Sequence, residues 1–494
     1  MSQTANQATR PAILTDTLII GAGVSGLGAA MRLLDEGMRD FVVLEKAASL
    51  GGTWRDNTYP GCACDVPSAL YSYSFAQNPS WSRLFAGQQE ILDYLNDTAA
   101  EHGVAPWIHY NTEVLDSHWD ESSGRWHVRT SGGEYQARTL ISCAGYLHEP
   151  QIPAIPGLQE FPGKLFHSSQ WDHDYSLAGK RVAVIGSGAS AVQFVPEIQP
   201  QVDQLYLYQR TAHWVLPKPD RTVSEREKAL YKLPLAMNAW RQTLYSSMEA
   251  LGLGFRYPRL MRTAQKAAEA HIRRQVPDPE LRKKLTPGYT LGCKRVLMSN
   301  NYYPALTQAN VDVLATGVTE VRGNTLIGAD GSEWEVDVII LGTGFHVSDA
   351  PIAQCIRSTD GEILADRWAG SPEAYLGTTI HGFPNLFIIL GPNLAIGHNS
   401  AFIIIEAQID YVLSALKNMH RKKLKKVEVR ADVQTDYNRK IQRDLEGTVW
   451  NTGGCASYYI DENGKNSICF PWTTVTMRRL MRRFDPADYS VIRL

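Results

Sequence analysis

Thr17-Leu18-Ile19-Ile20-Gly21-Ala22-Gly23-Val24-Ser25-Gly26 decides the fold of this chain. Thr17–Ile20 reads as a short buried strand, and Leu27–Leu34 has the apolar periodicity of a helix. Three glycines join them. Gly21 permits the tight turn, Gly23 lets the backbone approach a pyrophosphate, and Gly26 lets helix and strand pack closely. A phosphate would rest on the helix N-terminus, where free N–H groups and the helix dipole favour an anion. Alone, this pattern is a weak signal. A second strand, Phe41-Val42-Val43-Leu44-Glu45, strengthens it. Glu45 lies 19 residues after Gly26, close to the spacing of an acid that binds a ribose. A glutamate at a strand end is otherwise simply solvated.

The unit occurs twice. Lys180–Ile185 is another buried strand, followed by Gly186-Ser187-Gly188-Ala189-Ser190-Ala191. Ala191 replaces the third glycine and still allows close packing. The next strand, Gln204–Gln209, ends in Arg210-Thr211, with no acid at the ribose position. A guanidinium there suits a 2′-phosphate, so the second cofactor is expected to be NADPH rather than NADH. An exposed arginine more ordinarily makes a surface salt bridge. Two nucleotide sites on one chain imply electrons passing between cofactors. The expected class is α/β, with two Rossmann-like dinucleotide-binding domains. No repeat is evident beyond these two units.

The chain has 494 residues, room for about three domains and a large core. Its 49 Lys+Arg and 51 Asp+Glu nearly cancel, so no basic field points to nucleic acid. Residues 1–14 read as a frayed polar tail rather than a signal peptide. The most apolar runs, Leu386–Leu390 and Phe402–Ile405, are too short to cross a bilayer. Seven cysteines, an odd count, suit a reduced, cytoplasmic protein. Cys62 and Cys64 are the one close pair, but lack the spacing of a redox pair, and no Cys/His cluster has zinc spacing. Residues 222–285 change character, with many Lys/Arg and helical spacing, inside a helical stretch of about 222–290. They are expected to form a helical insertion in the second domain, its Met, Trp and Tyr serving mostly as core. A membrane contact there would need a basic face opposite an apolar one.

Between the loops runs Phe161-Pro162-Gly163-Lys164-Leu165-Phe166-His167-Ser168-Ser169-Gln170-Trp171-Asp172. This F-x-G-x-x-x-H-x-x-x-W-D pattern resembles the signature of the type I Baeyer–Villiger monooxygenases, flavoenzymes that insert oxygen beside a ketone carbonyl. The resemblance covers roughly residues 15–485 and is weakest across 222–285. It implies an FAD domain from residues 1–145 and 337–494, and an NADPH domain from 150–336. Asp337–Phe345, a D-x-x-I-x-G-T-G-F segment containing Gly344, would return the chain to the first domain. Gly51-Gly52-Thr53-Trp54 would lie against the flavin, as would the loop Leu390-Gly391-Pro392-Asn393. The segment Tyr59–Ser68 is like the family's Y-P-G-x-x-C-D-x-P loop and makes Asp65 a catalytic candidate; an Asp beside Pro otherwise caps a turn. Lys294 would reach the NADPH phosphate and Arg295 would face the flavin. Trp450 and Tyr458 would border the substrate. The family commonly has Trp where this chain has Tyr458, which leaves the pocket's shape open.

The implied reaction is NADPH- and O2-dependent conversion of ketones to esters or lactones through a C4a-peroxyflavin, with sulfoxidation as a side activity. Two rival readings are an N- or S-oxygenating flavin monooxygenase and an NADPH-dependent flavin reductase. The first has a similar linker without the tryptophan, so Trp171 favours ketone oxidation. The second needs a docking surface for an electron acceptor, which nothing in the sequence marks. Partners are expected to be a small ketone and O2, with no nucleic acid and no membrane.

Overall fold

The computed structural model describes residues 11–493. The expected N-terminal tail lies mostly outside them, and Ile13 already begins the first strand. The opening unit is β1 (Ile13–Ile20), α1 (Val24–Asp35) and β2 (Phe41–Leu44). A four-residue helix α2 (Thr53–Asp56) and α3 (Gln88–Glu101) follow, then β3 (Ile108–His109), β4 (Val114–Asp120), β5 (Arg125–Thr130) and β6 (Gly133–Ser142). β4, β5 and β6 form an antiparallel meander, and Gly124 takes φ 65° in its first turn. β1 runs parallel to both β2 and β6, with Ile20 opposite Leu44 and Ser142. The carboxyl ends of three strands therefore share one edge of the sheet, where α/β sheets bind ligands. β1 is central, and Leu18 and Ile19 are fully buried.

The second sheet is entirely parallel. It contains β7 (Lys164–His167), β8 (Arg181–Ile185) and β9 (Gln204–Tyr208), with α4 (Ala189–Ile198) after β8. A two-residue pair, β10 (Val215–Leu216) and β11 (Leu297–Met298), brackets the helices α5 (Glu225–Tyr231), α6 (Pro234–Arg256), α7 (Pro258–Gln275) and α8 (Pro279–Leu285). This is the helical segment expected from the sequence. Then come α9 (Tyr302–Leu306), β12 (Val311–Leu314), a meander of β13 (Val318–Arg322), β14 (Thr325–Gly328) and β15 (Glu333–Glu335), and β16 (Val338–Leu341).

β16 corrects one expectation. It lies between β8 and β7 in the second sheet, with Leu341 opposite Ile185 and His167. Asp337 also pairs with Arg181 at the start of β8. The chain rejoins the first sheet only after Gly342, through β17 (Ile356–Arg357) on β4 and β18 (Leu386–Ile388) on β6. α10 (Leu364–Trp368) and the largely buried α11 (Ala401–Lys422) complete that unit's packing.

The Phe161–Asp172 segment is likewise more than a connector, because half of it is β7. Gly163 is required there: a Cβ would lie 2.4 Å from the Asp337 carbonyl oxygen. Phe161 is buried, and Trp171 packs against Phe166 and Phe194. Asp172 pairs with Lys164 at the start of β7, so four of the five fixed positions shape the second unit. Only His167, at the carboxyl end of β7, reaches the functional edge.

α6 ties the helical insertion to the first unit. Arg241 donates to the Ser72 carbonyl at 3.0 Å. Glu249 accepts from Asn399 Nδ2, Thr474 Oγ1 and the Thr474 N–H, and its Oε1 lies 3.1 Å from His398 Nε2. At the end of α6, Phe255 stacks on Trp450 with ring centroids 5.4 Å apart.

Candidate active site

At the first edge the glycines do what their positions demand. Gly21 has φ 98°, and a Cβ would sit 2.7 Å from the Cys143 carbonyl oxygen. A Cβ on Gly26 would lie 1.8 Å from the Gly21 oxygen, an overlap no side chain survives. Gly52, with φ 52°, brings the Gly51–Trp54 turn onto this loop; its Cβ would lie 3.0 Å from Gly23 Cα. Thr53 opens α2, and buried Trp54 donates from Nε1 to Tyr71 Oη at 3.1 Å. Glu45 is 5% exposed and is answered from within the protein. It accepts from the Ala22 N–H at 2.8 Å, the Ala47 N–H at 3.0 Å and Arg55 Nη1 at 3.0 Å. Arg55 also pairs with Asp56 at 2.7 Å. Arg55 was not singled out from the sequence; its signal is a cation directly after the G-G-T-W turn.

The second edge has the same backbone and different charges. Gly186 has φ 109°, and a Cβ would lie 2.3 Å from the Gly342 oxygen. Ala191 is fully buried beneath that strand end. Space is open before Gly188 and before Gly344. Arg210 and Thr211 are exposed directly beyond β9. Among the described residues, neither Arg210 nor Lys294 makes an ion pair within 4.0 Å. Burial, together with nearby Arg210, lowers the pKa of Lys294. His213, three residues after Arg210, is pushed down to about 4 by burial and by Lys294. Its Nδ1 lies 3.4 Å from Ser187 Oγ in the glycine loop. Two cations without carboxylates beside a helix N-terminus make a site for a multiply charged anion.

His167 is 1% exposed. Its Nδ1 accepts from the Ser169 N–H at 3.2 Å, which leaves the ring proton on Nε2, enclosed within the protein beside the Gly344 backbone. Burial pushes its pKa down to about 4, so the ring is neutral at neutral pH.

The loop Tyr59–Ser68 bridges the two units. Tyr59 Oη donates to Gln193 Oε1 on α4 at 2.9 Å, and Gln193 Nε2 donates to the Ala63 oxygen at 2.9 Å. Gly61 fits there because a Cβ would lie 2.8 Å from the Gln193 oxygen. This clamp sets Asp65 opposite Arg295. Arg295 Nε donates to Asp65 Oδ2 at 3.0 Å and Nη2 to Oδ1 at 2.7 Å, a two-pronged pair. Asp65 raises the arginine's pKa against the opposing effect of burial. The arginine is nonetheless not sealed off: 43% of its side-chain surface remains open beside Tyr458, Tyr459 and Tyr146. Tyr458 is 49% exposed and Tyr459 is buried, with ring centroids 4.5 Å apart. Trp450 is buried behind Tyr459 rather than facing the opening, and its Nε1 lacks a partner.

Two further positions differ from their sequence reading. Asn393 is buried with φ 54°, and its Nδ2 donates to the carbonyls of Asn466 and Cys469. Its side-chain amide thus braces a neighbouring loop. The cysteines are not all reduced: Cys293, next to Lys294, is disulfide-bonded to Cys455. Cys62 and Cys64 remain free, with burial raising both thiol pKa values, Cys62 to about 11. Neither is a ready thiolate.

Residues 16–226 match the flavin-binding monooxygenase-like family. A Baeyer-Villiger monooxygenase of Pseudomonas aeruginosa is 50% identical over 477 residues, covering 96% of this chain and 90% of that protein. One of Streptomyces coelicolor is 48% identical over 481 residues, covering 96% and 92%. Among solved structures, an oxidized steroid monooxygenase bound to NADP is 27% identical, with a TM-score of 0.85, covering 97% of this chain and all of that one.

Proposed function

This chain belongs to the Baeyer–Villiger monooxygenases, and from that premise we propose that it uses FAD, NADPH and O2 to convert ketones into esters or lactones. The observation that carries the proposal is the Asp65–Arg295 pair, held where the first unit's loop meets the second unit, with 43% of the arginine side chain exposed. The residues fit both cofactors. The first edge offers a glycine loop, a helix N-terminus and a buried acid. The second offers a glycine loop, a helix N-terminus and two cations without carboxylate partners among the described residues. Gly21, Gly23, Gly26, Gly52, Thr53 and Trp54 would hold the flavin. Gly186, Ser187, Gly188, Ala191, Arg210, Thr211 and Lys294 would hold NADPH. When bound, the cofactors supply hydride transfer, oxygen activation and oxygen insertion beside the carbonyl.

The chain's own residues supply position and charge. Arg295 stays protonated at any working pH and places a fixed positive charge where the substrate oxygen becomes negative. Asp65 orients the guanidinium and keeps a half-buried cation from standing alone. His167, neutral, buried and tied to Ser169, holds the backbone at the end of β7 rather than transferring a proton. Tyr458 borders the opening and bears on ketone choice. In this reading the FAD unit comprises the chain up to 145 and from about 343 on, with the NADPH unit between.

The reading also includes a cytoplasmic location and small-molecule partners only. The nearly balanced charge supports the exclusion of nucleic acid, and no helix among the described residues is long and apolar enough to cross a membrane. Purified protein with FAD and NADPH, offered linear, cyclic and aryl ketones, should consume NADPH and give products heavier by one oxygen atom. Peroxide alone, with no ester or lactone from any ketone, would overturn the proposal.

A further inference from the structure

The loop that carries the reactive cation is covalently joined to the loop that borders the opening. Cys293 directly precedes Lys294 and Arg295; Cys455 lies three residues before Tyr458. Their Cα atoms are 6.1 Å apart, across 162 residues of sequence. The loops are packed for this contact, since a Cβ on Gly453 would lie 2.8 Å from Cys293 Sγ. One backbone bond, Thr290 N–H to the Gly453 oxygen at 2.9 Å, joins the same loops. Beyond it the chain is open: Gly454, Ala456 and Tyr458 are exposed, while Tyr459 is buried again. The disulfide is thus the anchor nearest to Tyr458 on its N-terminal side.

We propose that Cys293 and Cys455 are a redox-responsive positioning pair, whose bond holds the Gly453–Tyr458 loop against the Arg295 loop and whose reduction releases it. This rests on the reading of Arg295 as the charge required for oxygen transfer. The bond can close with hydrogen peroxide. One thiol attacks the peroxide, takes one OH and releases the first water. The second thiol then displaces that OH as the second water, and the S–S bond forms. Two electrons and two protons leave the thiols, and peroxide is reduced to two waters. A dithiol reverses the step by exchange. Cys293 is buried and Cys455 partly exposed, so exchange begins at Cys455.

The test uses the full-length flavin-loaded enzyme after dithiothreitol or peroxide treatment, with peptide mass confirming the 293–455 link. Reduction should speed hydrogen exchange in residues 453–459 by roughly tenfold, the mark of a released local unit. It should also lower ester formed per NADPH consumed on the order of tenfold, as misplacement of a reacting group does. Cys455→Ser should resemble the reduced wild type under both treatments. Unchanged exchange on reduction overturns the proposal, as does faster exchange with an unchanged ester-to-NADPH ratio. If no form makes ester, the oxygenase reading falls instead, and exchange alone decides whether the bond holds the loop. If Cys455→Ser does not fold, the wild-type pair of treatments decides both points.

Discussion

At the first glycine loop the charges are already answered: Glu45 takes two backbone N–H groups and Arg55, and Arg55 takes Asp56. At the second, Arg210 and Lys294 have no carboxylate partner among the described residues, and His213 is kept neutral beside Lys294. The backbones of the two loops match, so the contrast lies in side chains alone. A site whose charges are paired must hold its ligand by backbone N–H groups and shape. A site with unpaired cations draws an anion from solution and is relieved by it. The first arrangement suits a resident cofactor and the second an exchanging one. Arg295 belongs to neither edge and stands between them, paired on one side only.

The largest effect should come from removing that intermediate charge. Arg295→Ala should lose about 10²–10³-fold in ester formation, the range for a missing oxyanion donor. FAD content and NADPH oxidation should persist, as peroxide assays and flavin absorbance would report. Full ester formation by this variant would move the charge to Lys294 or to the bound nicotinamide nucleotide.

Next are two reciprocal substitutions at the edges. Arg210→Ala should weaken NADPH by ~1.5–3 kcal/mol, the worth of a hydrogen bond to a charged group, and leave flavin content intact. Glu45→Gln should shed FAD on gel filtration and leave the Michaelis constant for NADPH alone. If either variant disturbs the other edge equally, the two sites are not independent and the contrast collapses.

A third measurement concerns the neutral histidine at the second edge. Burial holds the folded His167 at about 4, below its ordinary 6.5, so the unfolded chain takes up the proton first. Stability is therefore complete above about pH 6.5 and falls as pH drops toward 4. Urea melts should show a loss on the order of 1–2 kcal/mol from this group between pH 7 and pH 5, and His167→Asn should remove that slope. An unchanged slope would mean the ring is not held neutral.

The smallest effect is that of salt. Raising it from about 0.05 M to about 0.5 M should increase the Michaelis constant for NADPH several-fold, because exposed cations are screened. FAD retention should barely respond. A comparable release of flavin would show that the first edge also depends on unpaired charge.

Within the Phe161–Asp172 segment, sequence and structure part ways. Phe161, Gly163 and Trp171 were read as linker, yet they pack β7 and α4, and His167 alone faces the site. The Val338–Leu341 run is equally apolar in either sheet, so its composition was silent about its neighbours. Register with β7 and β8 decided it. Asn393 was legible as a loop residue, but its hydrogen bonds to Asn466 and Cys469 depend on a segment more than 70 residues away.

What the sequence determined by itself is local. A turn that only glycine can make, a strand before it, a helix after it and the residue ending the next strand lie within about 30 contiguous positions. Both nucleotide edges and the choice of acid or arginine were therefore readable. The tertiary structure decided what meets across distance. It paired Glu45 with Arg55, left Arg210 and Lys294 without carboxylates among the described residues, and clamped the loop carrying Asp65 to α4 so that Asp65 meets Arg295. It also joined Cys293 to Cys455 over 162 residues. Backbone conformation follows from near neighbours, whereas a side chain's charge state and partners follow from burial, which only the packed chain defines.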